Sequence, residues 1–239
     1  MTSASMSTPS AQNRSPAATG TGDPRIARGL IVVLLVIFLI GFAKNFYLRA
    51  WLGTRPLILT AWIHGILMTG WMVLFGTQVT LAAQGRMDLH RRFGQWGMGL
   101  AATVIAVGIV TILVRTRLMY PDATLLTSTL VFIAFDGLSL LLFAVLVGLA
   151  WRYRPRPAIH RRLMTMAVVA LLPPAFGRIV AYLRPDHIQI IVVGLMAVTV
   201  IVFLTVDALK SRRLPSASWI PGLLVVLVNV ATYAAQINT

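Results

Sequence analysis

The triplet His-Arg-Arg occurs twice in this chain of 239 residues, once beginning at His90 and once at His160. Each copy stands at the entry to a long apolar stretch. Two interpretations are open. The histidines accompany arginines that anchor the chain to anionic lipid headgroups, or they converge on one haem, because neutral imidazoles are good axial ligands of haem iron.

A second set of polar residues lies within the apolar stretches. His64, Trp71 and Gln78 recur at intervals of seven, so on a helix they share one face over about 21 Å. This intramembrane stripe predicts either a hydrogen-bonded packing seam between helices or a site for a ligand or a proton relay.

Two opposite charges also lie deep in adjacent apolar stretches, at Asp136 and Arg178. A lone charge at the centre of a bilayer costs about 2.5 to 3.5 kcal/mol, so we expect the two to pair, with His64 close by. The pair is either purely structural or part of a polar cavity. The nearby step Pro173-Pro174 predicts a kink in its helix, and kinks at membrane depth often accompany a cavity.

The composition identifies the class of protein that must position these residues. Hydrophobic residues make up 58% of the chain, the mean hydropathy is +0.83, and several stretches exceed the roughly 18 apolar residues that cross a bilayer. The fold is therefore predicted to be all-α and polytopic, since an open sheet edge is unstable in hydrocarbon. The chain has no cysteine, which excludes disulfides and thiolate metal sites. No phosphate-binding or hydrolase motif occurs, so the sequence identifies neither a reaction nor a catalytic set, and whether the chain is an enzyme is left open.

Hydropathy divides the chain into a tail and a membrane domain. Residues 1–24, rich in small and polar types, are predicted to be disordered, and residues 25–239 to form the transmembrane domain. Spans two to five make two hairpins of like orientation, each with an intramembrane polar residue and then a triplet, which predicts a parallel repeat. A window of about 19 residues predicts seven transmembrane helices, at 29–48, 56–83, 93–114, 124–151, 162–183, 187–209 and 217–236.

The basic residues predict the orientation. With the amino terminus inside, fourteen of the 21 lysines and arginines fall in cytoplasmic segments, which favours a cytoplasmic amino terminus and a carboxyl terminus on the opposite side. We expect a multi-pass protein of the bacterial inner membrane, with both triplets at its cytoplasmic surface. The net charge is +15, and we expect its anionic partner to be membrane lipid rather than nucleic acid. The sequence leaves open whether the chain forms a homo-oligomer and whether it has a redox partner.

The pattern of polar residues resembles a bacterial family of multi-span membrane proteins of unknown function. The resemblance rests on His64, Trp71, Gln78, the element His-Arg-x-x-Gly at 90–94 and the element His-Arg-x-x-Met at 160–164. It covers about residues 45–180. Because the family has no known activity, the resemblance adds a pattern and no chemistry.

The chain is also distantly similar to the transmembrane cytochromes b. These proteins carry one haem-ligating histidine on each of four consecutive helices, and the first pairs with the third and the second with the fourth. His64, His90 and His160 match the first, second and fourth positions, whereas Asp136 stands at the third. The resemblance therefore implies at most one b-type haem, between His90 and His160, and a role in electron transfer.

A different function is left open beside this one. The chain would then be a non-enzymatic membrane carrier or assembly subunit, whose His64, Asp136 and Arg178 bind a small solute, a proton or a partner helix. In that case we expect His90 and His160 to point towards solvent or lipid headgroups. The orientation of these two imidazoles therefore distinguishes the two functions.

Overall fold

A computed structural model describes residues 24–54, 56–119, 126–183 and 187–237. These residues form α-helices, with one π-helical turn at Ala43–Tyr47 after the first of them. The helices of the described residues are α1 (Pro24–Phe42), α2 (Arg49–Leu52), α3 (Leu59–Ala83), α4 (Met87–Met119), α5 (Leu126–Arg152), α6 (Pro157–Val169), α7 (Pro173–Ala181), α8 (Ile188–Ser211) and α9 (Ser216–Ile237).

Most of these helices can cross a membrane, which confirms the all-α polytopic fold. The predicted span 124–151 coincides with α5, part of whose side chains lie outside the described residues, so the count of seven spans stays a prediction. The predicted tail, up to residue 23, also lies outside them. Within the described residues six segments are long and apolar enough to span: Arg28–Tyr47, Leu59–Ala83, Met87–Leu118, Pro157–Ala181, Ile188–Ser211 and Ser216–Ala235.

The hairpin of α3 and α4 carries the first triplet. Its turn contains Gly85 at a φ of +73°, a left-handed conformation that glycine adopts without strain. Helix α4 begins at Met87, six residues before the predicted span, so His90 belongs to the first helical turn. The carboxylate of Asp88 in this turn is favourable because it faces the positive end of the helix dipole.

The hairpin of α5 and α6 carries the second triplet. Pro157 occupies the first turn of α6, where its missing N–H costs nothing. Helix α6 ends at Val169 and α7 begins at Pro173, so the predicted kink is a full interruption over 170–172. Proline supplies no N–H to continue the hydrogen-bond ladder, which explains the break.

The interrupted pair α6 and α7 lies in the centre of the bundle. Consecutive residues of α6, such as Met166, Ala167 and Val168, have no exposed surface. Helix α6 packs against α5 and α9, and α7 packs against α1 and α8. The contact of α1 with α7 is close, since a Cβ atom on Gly41 would lie 2.7 Å from the backbone of Ala175. This close approach brings α1 next to the polar residues of α7.

Candidate functional site

The imidazoles of His90 and His160 lie side by side at one end of the bundle. Their ring centroids are 6.3 Å apart and their planes are nearly perpendicular, at 88°. Nδ1 of His90 lies 3.2 Å from the carbonyl oxygen of Gln78 on α3, and Nδ1 of His160 lies 2.8 Å from that of Ala150 on α5. Each histidine is therefore held by the helix that precedes its own, in the same way in both hairpins.

These hydrogen bonds fix which nitrogen of each ring is available. A carbonyl oxygen only accepts, so Nδ1 of both His90 and His160 must carry a hydrogen and donate it. In a neutral imidazole the lone pair is then on Nε2. A ring whose second nitrogen donates to a backbone carbonyl is the usual form of a metal-ligating histidine. Both residues are half-buried, and neither is turned fully to solvent.

The distance between the two ring centroids matches that of two imidazoles that share one iron atom. Two imidazoles on opposite sides of a metal, each nitrogen about 2 Å from it, place their ring centroids about 6 Å apart. The observed 6.3 Å agrees with that arrangement. Within the described residues no group of three or more His, Cys, Asp or Glu side chains could hold a metal ion. Two imidazoles suffice for a haem, because the porphyrin supplies the other ligands.

The side chain of Gln78 lies next to this pair. Its amide nitrogen would be 3.9 Å from a Cβ atom on Gly94, one helical turn after His90. Both polar atoms of the amide are buried and have no hydrogen-bond partner among the described residues. An unsatisfied buried polar group costs about 1 to 3 kcal/mol, so a polar group bound beside His90 would be stabilised by this amide.

Trp71 lies on the same face of α3 as His64 and Gln78, between the two ends of the bundle. Its ring is 3% exposed and meets the ring of Phe143 edge-on, with centroids 5.2 Å apart. Its Nε1 is buried without a hydrogen-bond partner in the described part of the chain. The stripe predicted on α3 therefore faces the interior. A hydrogen-bonded packing seam would join these side chains to neighbouring helices, and in the described residues Nε1 of Trp71 and the amide of Gln78 make no such bond.

A cavity of about 430 Å³ lies towards the other end of the bundle. His64, Asp136 and Arg178 all line it, together with Arg115. Along α5 the cavity residue Asp136 precedes Ala150, which holds His160, by fourteen positions, or about 21 Å of helix. The cavity and the histidine pair are therefore separate sites.

The ion pair in this cavity differs from the predicted one. Oδ2 of Asp136 lies 3.9 Å from Nη1 of Arg115, whereas Arg178 donates from Nη1 to the carbonyl oxygen of Pro174 at 2.7 Å. The guanidinium of Arg178 also lies 4.5 Å from the ring centroid of Phe42, a cation–π distance. Asp136 makes its direct ion pair with Arg115 and not with Arg178, because α4 runs past residue 114 and carries Arg115 to the level of Asp136. The charges of Asp136 and Arg178 still attract each other across the cavity that both line.

His64 contacts the cavity from α3. Its ring edge lies against α4, where a Cβ atom on Gly108 would be 3.4 Å from Cε1 of His64. Nδ1 of this ring is buried and has no hydrogen-bond partner within the described ranges. The ring is thus packed on one side and supplies an unsatisfied polar atom at the cavity wall.

A buried ion pair near the second triplet escaped the sequence analysis. Nε of Arg162 donates to Oδ2 of Asp207 at 2.8 Å, and Oγ of Ser218 donates to the same oxygen at 2.5 Å. Arg162 and Asp207 are 9% and 7% exposed, so Arg162 does not anchor the chain to lipid headgroups, which was one interpretation of the triplet arginines. In contrast, Arg92, at the corresponding position of the first triplet, is exposed. The sequence signal for this pair was Asp207 itself, an acidic residue inside the predicted span 187–209, because a charge within a span favours a partner inside the bundle.

Comparison of the chain with protein-family models, with curated proteins and with solved structures found no match in any of the three.

Proposed function

We propose that this chain is a membrane-embedded b-type haem protein that transfers electrons, with His90 and His160 as the axial ligands. The observation that carries the proposal is the perpendicular pair of imidazoles at 6.3 Å, each tied through Nδ1 to a backbone carbonyl. A haem bound there would supply one-electron redox chemistry.

The chain's own residues hold the ligands in place. The carbonyl oxygens of Gln78 and Ala150 fix the tautomer and the orientation of the two rings, and raise the basicity of Nε2. Arg91 and Arg161 each follow a histidine of the pair and are exposed, so they would be available as counter-ions for the carboxylates of a bound haem. The same arginines favour a cytoplasmic position at the inner membrane of a bacterium, among anionic lipids.

Optical spectroscopy of the purified protein tests the haem. The chain is expressed in haem-replete membranes, and reduced-minus-oxidised spectra are recorded for the wild type and for His90→Ala, His160→Ala and the double variant. We expect a b-type spectrum that each substitution weakens and the double variant abolishes. His187→Ala is the matched control, because this exposed histidine precedes α8 and should leave the spectrum unchanged. A folded wild type without b-type bands, or a spectrum retained in the double variant, would refute the proposal.

The polar cavity favours a second function, that of a non-enzymatic membrane carrier or assembly subunit. His64, Asp136 and Arg178 line a cavity that is separate from the histidine pair, which suits the binding of a small solute or a proton. Measurement of solute uptake into proteoliposomes tests this second function directly. Solute uptake that depends on Arg178 and continues in the double variant His90→Ala/His160→Ala would support a carrier, and a loss of uptake in that variant would tie transport to the haem.

A further inference from the structure

Among the described residues that line the cavity, positive charges outnumber negative ones. Arg115 and Arg178 supply two positive charges, and Asp136 supplies one negative charge that lies within 4 Å of Arg115. A guanidinium has five N–H donors, and the bond to Pro174 uses one nitrogen of Arg178. An arginine within a membrane span is stabilised by a counter-ion, so the excess of positive charge favours an anion near Arg178.

Part of the wall is apolar and aromatic, and hydroxyl and amide side chains line the remainder, among them Thr69, Ser139 and Asn229. Phe38, Phe42, Phe46 and Leu140 line the cavity around its polar groups. The volume of about 430 Å³ falls within the usual range for small-molecule sites, roughly 300 to 1,000 Å³. A fully hydrated inorganic ion would leave these rings against water, whereas an organic ion with a short apolar chain would cover them.

We infer that this cavity binds a small organic monoanion, a carboxylate with a short apolar tail. The carboxylate accepts hydrogen bonds from the guanidinium of Arg178, and the tail lies among the phenylalanine rings. The unsatisfied Nδ1 of His64 offers the ligand a further polar contact. The inference deepens the second function by naming its solute, rests on that function for the role of the cavity, and is independent of haem binding.

Equilibrium binding of radiolabelled octanoate tests the charge of the ligand. The full chain is reconstituted in nanodiscs of phosphatidylcholine, with unlabelled octanoate, octanol and octylamine as competitors. We expect saturable binding that octanoate displaces and the other two compounds do not. Arg178→Gln should weaken binding at least tenfold, and Arg178→Lys, which keeps the charge, should retain part of it. Unchanged binding by Arg178→Gln would overturn the inference.

Two glycine variants test the location of the ligand without removing a charge. A Cβ atom on Gly177 or on Gly194 would meet nothing within 4 Å, so a larger side chain can be accommodated at either position. Gly177 lines the cavity, whereas Gly194 is exposed on α8 away from it. Gly177→Leu should fill the cavity and abolish octanoate binding, and Gly194→Leu should leave it unchanged. Equal binding by both variants would place the ligand elsewhere.

Further binding measurements distinguish this inference from its alternatives. Anionic chemistry is shared with phospholipid headgroups, so the measurement is repeated in nanodiscs that contain phosphatidylglycerol. Octanoate binding that persists there supports a free carboxylate, and displacement in proportion to the anionic lipid would overturn it. Octylamine or octanol that binds as tightly as octanoate would overturn the anion inference and leave a solute-binding cavity. A lack of saturable binding by all three compounds would contradict both the inference and the second function.

Discussion

The guanidinium of Arg162 and the carboxylate of Asp207 meet at 2.8 Å in the interior of the bundle, 45 positions apart in the chain. Ser218 donates to the same carboxylate, so one buried charge joins α6, α8 and α9. Arg162 follows His160 by two residues. This pair therefore fixes the start of α6, and with it the position of the imidazole in the proposed haem site.

Removal of one partner of this pair should destabilise the fold. Asp207→Leu leaves the Arg162 guanidinium buried without a counter-ion, which we expect to lower the free energy of unfolding by about 3 to 5 kcal/mol. The double variant Arg162→Met/Asp207→Leu should recover most of that loss because no charge is stranded. Thermal unfolding in detergent measures both. Arg92→Met, at the exposed corresponding position of the first triplet, is the control and should change little; equal effects of the two arginines would contradict a special role for the pair.

The amide of Gln78 allows a separate prediction about the haem site. Gln78→Leu keeps the backbone carbonyl that holds His90 and removes two buried polar atoms without partners. The haem-free protein should become more stable, by about 1 kcal/mol, because an unsatisfied amide is replaced by an apolar group. The haem protein should keep its spectrum with an altered reduction potential, since a polar group near the ligand is lost. An unaltered potential in redox titration would show that this amide does not act on the haem.

The carboxylate of Asp136 should oppose anion binding in the cavity. Asp136→Asn removes a negative charge from the wall while the side chain keeps nearly the same shape. At an effective dielectric constant near 20, two charges several ångströms apart interact by about 1 to 2 kcal/mol, so octanoate should bind about tenfold more tightly. Dissociation constants in phosphatidylcholine nanodiscs measure the change. Weaker binding by Asp136→Asn would mean that this carboxylate organises the site through Arg115 instead of repelling the ligand.

Several features of the fold and the sites were predictable because their signals are local. Long apolar runs predict helices in a membrane, and Pro173-Pro174 predicts a distortion of its helix because proline removes a hydrogen-bond donor, although the kink expected there is a full interruption. The interval of seven between His64, Trp71 and Gln78 predicts one helix face, and the structure places all three towards the interior. In each case the relevant residues are neighbours in sequence or on one helix.

The partners of the charged residues were not predictable because they depend on the packing of distant helices. Asp136 meets Arg115 because α4 extends beyond the apolar window that predicted its end. Arg162 and Asp207 meet because α6 and α8 are brought together, and nothing in the triplet distinguishes Arg162 from the exposed Arg92. Likewise, the two triplets show no sequence signal for the carbonyls that hold their histidines, since any residue type supplies a carbonyl.

The contact of α1 with α7 should depend on the absence of a side chain at Gly41. A Cβ atom there would lie 2.7 Å from the backbone of Ala175, and backbone cannot move aside as a flexible side chain can. Gly41→Val should therefore separate the two helices and lower the free energy of unfolding by about 1 to 3 kcal/mol, the usual cost of overpacking. Gly29→Val in the same helix is the matched control, because a Cβ atom at that position would meet nothing within 4 Å. Thermal unfolding in detergent compares the two variants, and octanoate binding should fall only in Gly41→Val, because Phe42 and Arg178 lie on the two helices that separate. A Gly41→Val protein with the stability and binding of the wild type would show that the two helices do not need this close approach.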